Sequence, residues 1–274
     1  MKNTYNIYLI SDSTGETLDR IYMALKAQFE KFDHNLFHYS FTRTESQLLK
    51  ILDDAKKKND SIILYTIVDN KLAKFLSQEA NKKNIPCFGV LGDLILNFSK
   101  LLNQKATNLP SGQHALNEEY YKRIEAIQFS MNHDDGNSIK DVEKSDIILL
   151  GVSRTSKTPT SIYLANRGFK TSNIPLVNEN SIPEKLTKNP KISCIIGLVA
   201  EPKRLLDVRK NRLNTIKESD GTDYIKIEKI ENEVENSRKT FQKYQWPIID
   251  VTRKSVEETA ASIIKIHEIY SNNK

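Results

Sequence analysis

One polar loop, set between an apolar run and a proline, constrains the fold of this 274-residue chain more than any other segment. Residues 146–150 (DIILL) precede the loop, and continuous apolar residues bounded by charge predict a strand buried in a parallel sheet. Pro159 follows, and proline suits a first helical turn because its missing N–H would be unpaired there. Residues 160–167 can continue this helix, Gly168 is a natural stop, and residues 174–177 (IPLV) predict another strand. The order strand, loop, helix, strand is typical of an α/β unit.

The loop itself, GVSRTSKT, matches a Walker A phosphate loop with one replacement. The pattern G-x-x-x-x-G-K-[ST] holds at Gly151, Lys157 and Thr158, whereas Ser156 replaces the second glycine. In such loops the backbone N–H groups surround the phosphates, the lysine reaches the terminal phosphate and the threonine binds Mg²⁺. The alternative is a strand-to-helix turn that happens to contain these residues, since serine adopts left-handed backbone less readily than glycine. The predicted nucleotide-binding residues are Gly151, Val152, Ser153, Arg154, Thr155, Ser156, Lys157 and Thr158.

Composition excludes several classes of protein. The 11 Tyr and 10 Phe predict a folded chain rather than a disordered one. The net charge of +6 is dispersed among mixed Lys, Glu and Asp, without a basic stripe of interleaved aromatics, so no nucleic-acid partner is expected. Cys87 and Cys194 lie in apolar runs and predict buried thiols rather than a disulfide. The sequence has no signal peptide and no membrane-spanning run, which predicts a cytoplasmic protein without membrane attachment.

Strand and helix patterns alternate along the chain, which predicts two α/β units with mostly parallel sheets. A polar stretch at residues 103–114 interrupts this rhythm. We therefore expect an N-terminal Rossmann-like domain at residues 1–107 and a C-terminal P-loop kinase-like domain at residues 108–274, with a connecting helix at 116–131. The predicted strands are 5–10, 61–68, 85–90, 146–150, 174–177, 192–199 and 247–251. The other predicted helices are 17–30, 45–57, 70–81 and 255–270.

A second group of chemically capable residues follows the connecting helix, as His133-Asp134-Asp135-Gly136. Two carboxylates beside an imidazole can deprotonate a hydroxyl or hold Mg²⁺ through water. His133, Asp134 and Asp135 are therefore candidate catalytic residues together with Lys157. The alternative is a helix end in which Gly136 is the stop and the aspartates form a turn.

The loop after the first predicted strand is a candidate second phosphate site. It contains Asp12, Ser13, Thr14 and Gly15, and α/β proteins bind anions where such a loop opens a helix. The alternative is a capping box between Ser13 and Glu16, which fits the same residues.

Three arginines after residue 202 form a candidate phosphate clamp. Arg204, Arg209 and Arg212 lie on a predicted helix, and arginine forks bind phosphate oxygens in pairs. The alternative is a solvated basic helix face.

Five motifs occur in order along the chain and resemble the regulatory-protein family of pyruvate, phosphate dikinase and of phosphoenolpyruvate synthase. They are residues 11–16 (SDSTGE), 116–136 ending in HDDG, 151–161 (GVSRTSKTPTS), 163–168 (YLANRG) and 249–252 (IDVT). Ser156 is the residue usual in that family, so the resemblance turns the one irregularity of the loop into its most specific feature.

The resemblance implies a bifunctional serine/threonine kinase that uses ADP to phosphorylate and inactivate the dikinase. It also implies removal of that phosphate by inorganic phosphate, which releases pyrophosphate. The nucleotide loop carries over onto residues 151–158, with Mg²⁺ on Thr158, whereas the choice between Asp134 and Asp135 as the base stays open. The dikinase is the expected partner, the synthase is the alternative, and a homodimer is consistent with the family. Two more distant alternatives are a P-loop kinase of small molecules and a nucleotide-sensing adaptor.

Overall fold

The chain forms two compact units, residues 1–115 and 116–274, termed here the N-terminal and C-terminal units. Each contains a sheet of four strands whose paired neighbours are all parallel, so the predicted class of two α/β units is confirmed. The predicted boundary after residue 107 lies slightly before the division seen here. The computed structural model describes residues 4–114, 116–136, 139–177, 181–216 and 223–272.

The sheet of the N-terminal unit has the strand order β2-β1-β3-β4. Its strands are β1 (Thr4–Ser11), β2 (Asp33–Tyr39), β3 (Ser61–Thr66) and β4 (Cys87–Gly89). Its helices are α1 (Glu16–Lys26), α2 (Glu45–Lys57), α3 (Asn70–Lys82) and α4 (Gly92–Leu101), with a 3-10 turn at Gly112–His114.

Helices cover both faces of this sheet because its central strands are apolar on both sides. Tyr8 and Ile10 of β1 pack with Leu48 and Leu52 of α2 on one face, and Ile7 packs with helix α1 on the other. A capping box formed by the side chains of Thr44 and Gln47 begins α2.

Two elements of the N-terminal unit were absent from the predictions. Strand β2 (DHNLFHY) lies at the sheet edge and contains no fully buried residue. An edge strand of this kind does not need alternating apolar residues, and the sequence pattern therefore did not predict it. Helix α4 also buries none of its residues, and its Leu94 and Phe98 are more than half exposed. The alternative interpretation of Ser13 and Glu16 as a capping box is wrong, because Gly15 is the N-cap of α1 and no side chain caps that helix.

The sheet of the C-terminal unit has the order β6-β5-β7-β8, which repeats the order of the first sheet. Its strands are β5 (Ile147–Gly151), β6 (Thr171–Pro175), β7 (Cys194–Val199) and β8 (Ile248–Asp250). Its helices are α5 (Glu118–Asn132), α6 (Lys157–Ala165), α7 (Glu184–Lys188), α8 (Pro202–Ile216), α9 (Ile227–Lys243) and α10 (Val256–Asn272), with a 3-10 turn at Ile139–Lys144. Strand β6 begins earlier than the predicted 174–177, because its first residues are polar but buried.

Every residue of β5 is buried, so this strand forms the centre of the C-terminal core. Ile148 and Leu150 pack with Phe241 of α9 on one face, and Leu149 packs with helices α6 and α10 on the other. This burial on both faces fixes the end of β5, and therefore the start of the loop that follows it.

Both cysteines are free thiols, as predicted, but only Cys194 is fully buried and Cys87 is partly exposed. Burial raises the pKa of Cys87 to about 12 and that of Cys194 to about 11. Within the described ranges, no helix combines the length and apolar character that crossing a bilayer requires.

Candidate active site

The loop after β5 begins at a position that admits only glycine. A Cβ atom on Gly151 would lie 2.5 Å from the carbonyl oxygen of Leu198 and 2.8 Å from Oγ1 of Thr155. Further along, Arg154 and Ser156 adopt left-handed backbone, with φ of 73° and 59°. Ser156 therefore has the conformation that glycine usually supplies, and it forms the N-cap of α6 without a side-chain cap. The first-turn N–H groups of α6 are thus left without a side-chain acceptor.

Lys157 lies in the interior of this loop and is only 5% exposed. Its Nζ donates a hydrogen bond to the carbonyl oxygen of Val152 at 3.1 Å. Burial lowers the pKa of Lys157 to about 8, and the carboxylates of Asp135 and Asp134 oppose that shift. The loop therefore combines uncapped helical N–H groups with a buried amine, which is the donor set that binds phosphate.

The HDDG segment reaches the loop through strand β6, which lies at the edge of the sheet. The free edge of β6 binds this segment in both directions: the N–H of Asn173 donates to the carbonyl of His133 at 2.9 Å, and the N–H of Gly136 donates back to the carbonyl of Asn173 at 2.9 Å. Asp134 is thereby placed beside the start of α6, where Oγ1 of Thr158 donates to its Oδ1 at 3.0 Å.

The three predicted catalytic residues of this segment have different surroundings. Asp134 is partly buried and bonded to Thr158, whereas Asp135 is exposed and has a positive φ of 51°. His133 is buried, its ring stacks on Phe129 with centroids 3.9 Å apart, and its Nδ1 is bonded to the carbonyl of Phe129 at 2.8 Å. His133 therefore packs against its own helix, and Asp135 is the carboxylate open to a large substrate.

Asn173 is a site residue that the sequence analysis missed. It is 1% exposed, and its Nδ2 donates to Oγ1 of Thr158 at 2.9 Å and to Oδ1 of Asp134. Its own Oδ1 is buried without a partner. The only signal in the sequence was a polar triplet, residues 171–173 (TSN), before an apolar run, and the predicted strand began one residue too late to include it.

The predicted arginine clamp is divided by the structure. Arg209 is 1% exposed and supports the loop from behind, donating to the carbonyl of Ser153 at 3.3 Å and to Oε2 of Glu233 at 2.6 Å. Arg204 and Arg212 are exposed on the same helix. Of the three, only Arg209 contacts the loop, so a clamp role for the other two stays a prediction.

Tyr224 is a second residue that the sequence analysis missed. Its hydroxyl lies 3.1 Å from Oγ of Ser153 and accepts from Nε of Arg154 at 3.0 Å. The guanidinium of Arg209 lies over its ring, 4.7 Å from the centroid. Tyr224 precedes α9 in a turn without a recognisable motif, so only the fold brings it to the loop.

The candidate second phosphate site lies at a cavity of about 170 Å³ in the N-terminal unit. Asp12, Ser13 and Gly15 line it, and Thr14 does not. Asp12 is 2% exposed, its Oδ2 accepts from the N–H of Val68 at 2.7 Å, and burial raises its pKa. An ionised carboxylate in the wall would repel a phosphate, so a phosphate role for this cavity stays a prediction.

Comparison with known proteins identifies the family of this chain. Residues 7–264 match the family described as kinase/pyrophosphorylase. Among solved structures, a periplasmic sugar-binding protein from Legionella pneumophila covers 96% of this chain and 93% of its own at 13% identity, but the TM-score of 0.24 supports no conclusion.

Several curated relatives cover almost the whole chain and share one name, pyruvate, phosphate dikinase regulatory protein. The relative from Pelagibacter ubique is 69% identical over 273 residues and covers 100% of both chains. The relative from Rhizobium meliloti is 44% identical and covers 97% of both, and that from Erythrobacter litoralis is 42% identical and covers 96% of this chain and 94% of its own. The chain therefore belongs to the kinase/pyrophosphorylase family.

Proposed function

We propose that this chain regulates pyruvate, phosphate dikinase through two opposed phosphoryl transfers. In the first, the β-phosphoryl group of ADP moves to a threonine hydroxyl of the dikinase. In the second, inorganic phosphate removes that group. The observation that supports this proposal most directly is the buried amine of Lys157, which lies within electrostatic reach of an exposed carboxylate, Asp135, at one end of a parallel sheet. The names of the relatives support the choice of target.

The bonds balance in both directions. In the kinase reaction the bond between the β-phosphorus and the bridging oxygen of ADP breaks, AMP leaves, and the threonine oxygen bonds to phosphorus. The hydroxyl proton passes to a base. In the phosphorylase reaction an oxygen of inorganic phosphate attacks the phosphothreonine, pyrophosphate leaves, and the threonine oxygen regains a proton.

The surroundings of the two aspartates favour one of them as the base. Asp134 Oδ1 already accepts hydrogen bonds from Thr158 and Asn173, so its electron pairs are engaged beside the loop. Asp135 is exposed at a turn and can meet the hydroxyl of a protein substrate. We therefore assign proton transfer to Asp135 and the support of the loop to Asp134.

Phosphoryl transfer depends mainly on positioning and on neutralising charge. The N–H groups at the start of α6 and the amine of Lys157 supply that charge to the phosphate oxygens. Mg²⁺, when bound, neutralises further negative charge on the phosphates. The oxygens of Thr158 and Asp134, which lie 3.0 Å apart, fit the hard oxygen ligands that this ion prefers.

The direct test incubates the chain with purified dikinase or with purified phosphoenolpyruvate synthase, in separate reactions. Each reaction contains either ADP labelled in its β-phosphate or ATP labelled in its γ-phosphate. We expect label on the dikinase from ADP and none from ATP. Label on the synthase alone would move the same chemistry to the alternative target.

Two other outcomes decide between classes of function. Label from ATP on a small molecule would indicate a P-loop kinase of metabolites. Binding of ADP with no phosphoprotein on either target would indicate a nucleotide-sensing adaptor. For the reverse activity, phosphorylated dikinase with labelled inorganic phosphate should release labelled pyrophosphate.

A further inference from the structure

Three side chains from three elements meet at the start of α6 in a tight triangle, which we call the Asp134–Thr158–Asn173 triangle. Thr158 Oγ1 lies 3.0 Å from Asp134 Oδ1 and 2.9 Å from Asn173 Nδ2. The third side joins Asn173 Nδ2 to Asp134 Oδ1. Ligand oxygens in adjacent positions around an octahedral Mg²⁺ are about 3 Å apart, since each lies about 2.1 Å from the metal. The two sides that meet at Thr158 Oγ1 therefore match the spacing of adjacent ligands around an octahedral Mg²⁺.

The orientation of the Asn173 amide leaves an unsatisfied atom. With Nδ2 in the triangle, Oδ1 is buried without a hydrogen-bond partner, and a buried polar atom without a partner is unfavourable. The two ends of an amide have nearly the same shape, so a half-turn about the terminal bond exchanges them. After that half-turn, the triangle consists of three oxygens.

The remaining chemistry of the site agrees with a hard cation. Among the residues that the structure describes, no group of three or more His, Cys, Asp or Glu side chains is placed to hold a metal. The triangle instead offers one carboxylate and two neutral side chains, and Mg²⁺ accepts such mixed oxygen ligands together with substrate phosphates.

We propose that Asn173 is a ligand of the divalent cation that accompanies ADP, and that its amide turns when the cation binds. Without the cation, the NH₂ group holds the Asp134 carboxylate and the Thr158 hydroxyl in place. With the cation, Oδ1 joins Thr158 Oγ1 and Asp134 Oδ1 as the third protein ligand. The inference rests on the proposed function, because the phosphates of ADP complete the coordination.

The test uses Mn²⁺, a spin-active divalent cation with a similar preference for oxygen. Free Mn²⁺ is measured by electron paramagnetic resonance during titration of the full chain with ADP present. We expect Asn173→Ala to weaken Mn²⁺ binding about tenfold or more. We expect Asn173→Asp to tighten it about tenfold, because a carboxylate oxygen replaces the amide oxygen and adds charge.

The matched controls are Asn166→Ala and Asn166→Asp, which make the same changes at an exposed position of the neighbouring turn. They should leave Mn²⁺ affinity within about twofold of wild type. If Asn173 only supports Asp134 through its NH₂ group, Asn173→Asp should weaken Mn²⁺ binding or leave it unchanged, and that result overturns the inference.

A measurement on the unchanged sequence covers the case in which the variants fold poorly. Wild-type protein labelled with ¹³C at the side-chain amide carbon of asparagine should show a ¹³C hyperfine coupling to bound Mn²⁺. Absence of that coupling also overturns the inference. Equilibrium dialysis of labelled ADP, with and without a chelator, distinguishes a failure of ADP binding from a failure of the ligand role of Asn173. If wild type does not bind ADP, the proposed function fails, and if ADP binds without the coupling, only the role of Asn173 fails.

Discussion

The two units share one strand order and differ in the charge that each buries at the end of its central strand. The loop after β1 buries the carboxyl group of Asp12, and the loop after β5 leads to the buried amine of Lys157. Burial raises the pKa of Asp12 and lowers that of Lys157, because it disfavours the charged form in both. The same topology therefore buries an amine beside the proposed nucleotide loop in one unit and a carboxyl group in the other.

An arginine supports the backbone of each loop, but the two arginines differ in burial. Arg43 Nε donates to the carbonyl of Asp12 at 2.8 Å and is exposed. Arg209 donates to the carbonyl of Ser153 and is 1% exposed, with Glu233 and Tyr224 as further partners. The loop of the C-terminal unit is thus the more firmly supported, as expected of a site that positions reacting groups.

The largest effect should distinguish the carboxylate of Asp135 from that of Asp12. Asp135→Asn should lower the rate of dikinase phosphorylation about 10²- to 10⁴-fold, because it removes the proposed base, and should leave ADP affinity unchanged. Asp12→Asn should leave that rate unchanged. Single-turnover transfer of the labelled β-phosphate measures both variants. An unimpaired Asp135→Asn enzyme would return Asp134 to the role of base.

The second effect compares the supporting arginines. Arg209→Met should lower the free energy of unfolding by about 3 kcal/mol, because it leaves Glu233 and two carbonyls without their buried partner. Arg43→Met should cost about 1 kcal/mol or less, since that side chain is exposed. Urea unfolding of the full chain measures both. Equal losses would show that the two loops are supported alike.

The third effect concerns the N-cap residues of α1 and α6, which are Gly15 and Ser156. Gly15 has a φ of 90°, and a Cβ there would lie 3.2 Å from Oγ of Ser40, so Gly15→Ser should destabilise the chain by about 1–2 kcal/mol. Ser156→Gly should change stability by at most about 1 kcal/mol, because relief of the left-handed serine is offset by greater freedom of the unfolded chain. Thermal unfolding measures both changes, and a large loss in Ser156→Gly would show that the serine side chain itself supports the loop.

The smallest effect is a pH dependence in the N-terminal unit. Because the pKa of Asp12 is raised in the folded state, its contribution to stability is fully present below the ordinary aspartate pKa near 4. That contribution falls as pH rises through the folded pKa. The difference in free energy of unfolding between wild type and Asp12→Asn should therefore decline from acid to neutral pH. A difference that grows with pH would mean that the carboxylate is stabilised by its partners.

Sequence patterns that extend over only a few residues were sufficient to predict part of the fold and to select part of the candidate site. The apolar run before Gly151, the glycine itself and the aspartates of HDDG are each recognisable within a few residues. Asn173 and Tyr224 are not, because each reaches the loop only through sheet pairing or a distant turn. Strand β2 and helix α4 were also not predicted, since neither has the burial pattern on which such predictions depend.

The most direct test of the central claim is calorimetric titration of ADP into wild type, Lys157→Ala and Asp12→Asn. We predict one ADP per chain for wild type and for Asp12→Asn with equal affinity. We predict a loss of at least about tenfold for Lys157→Ala, because the variant removes a buried charge-assisted donor. Wild-type affinity in Lys157→Ala, or loss of ADP binding in Asp12→Asn, would contradict the assignment of the nucleotide to the loop at residues 151–158.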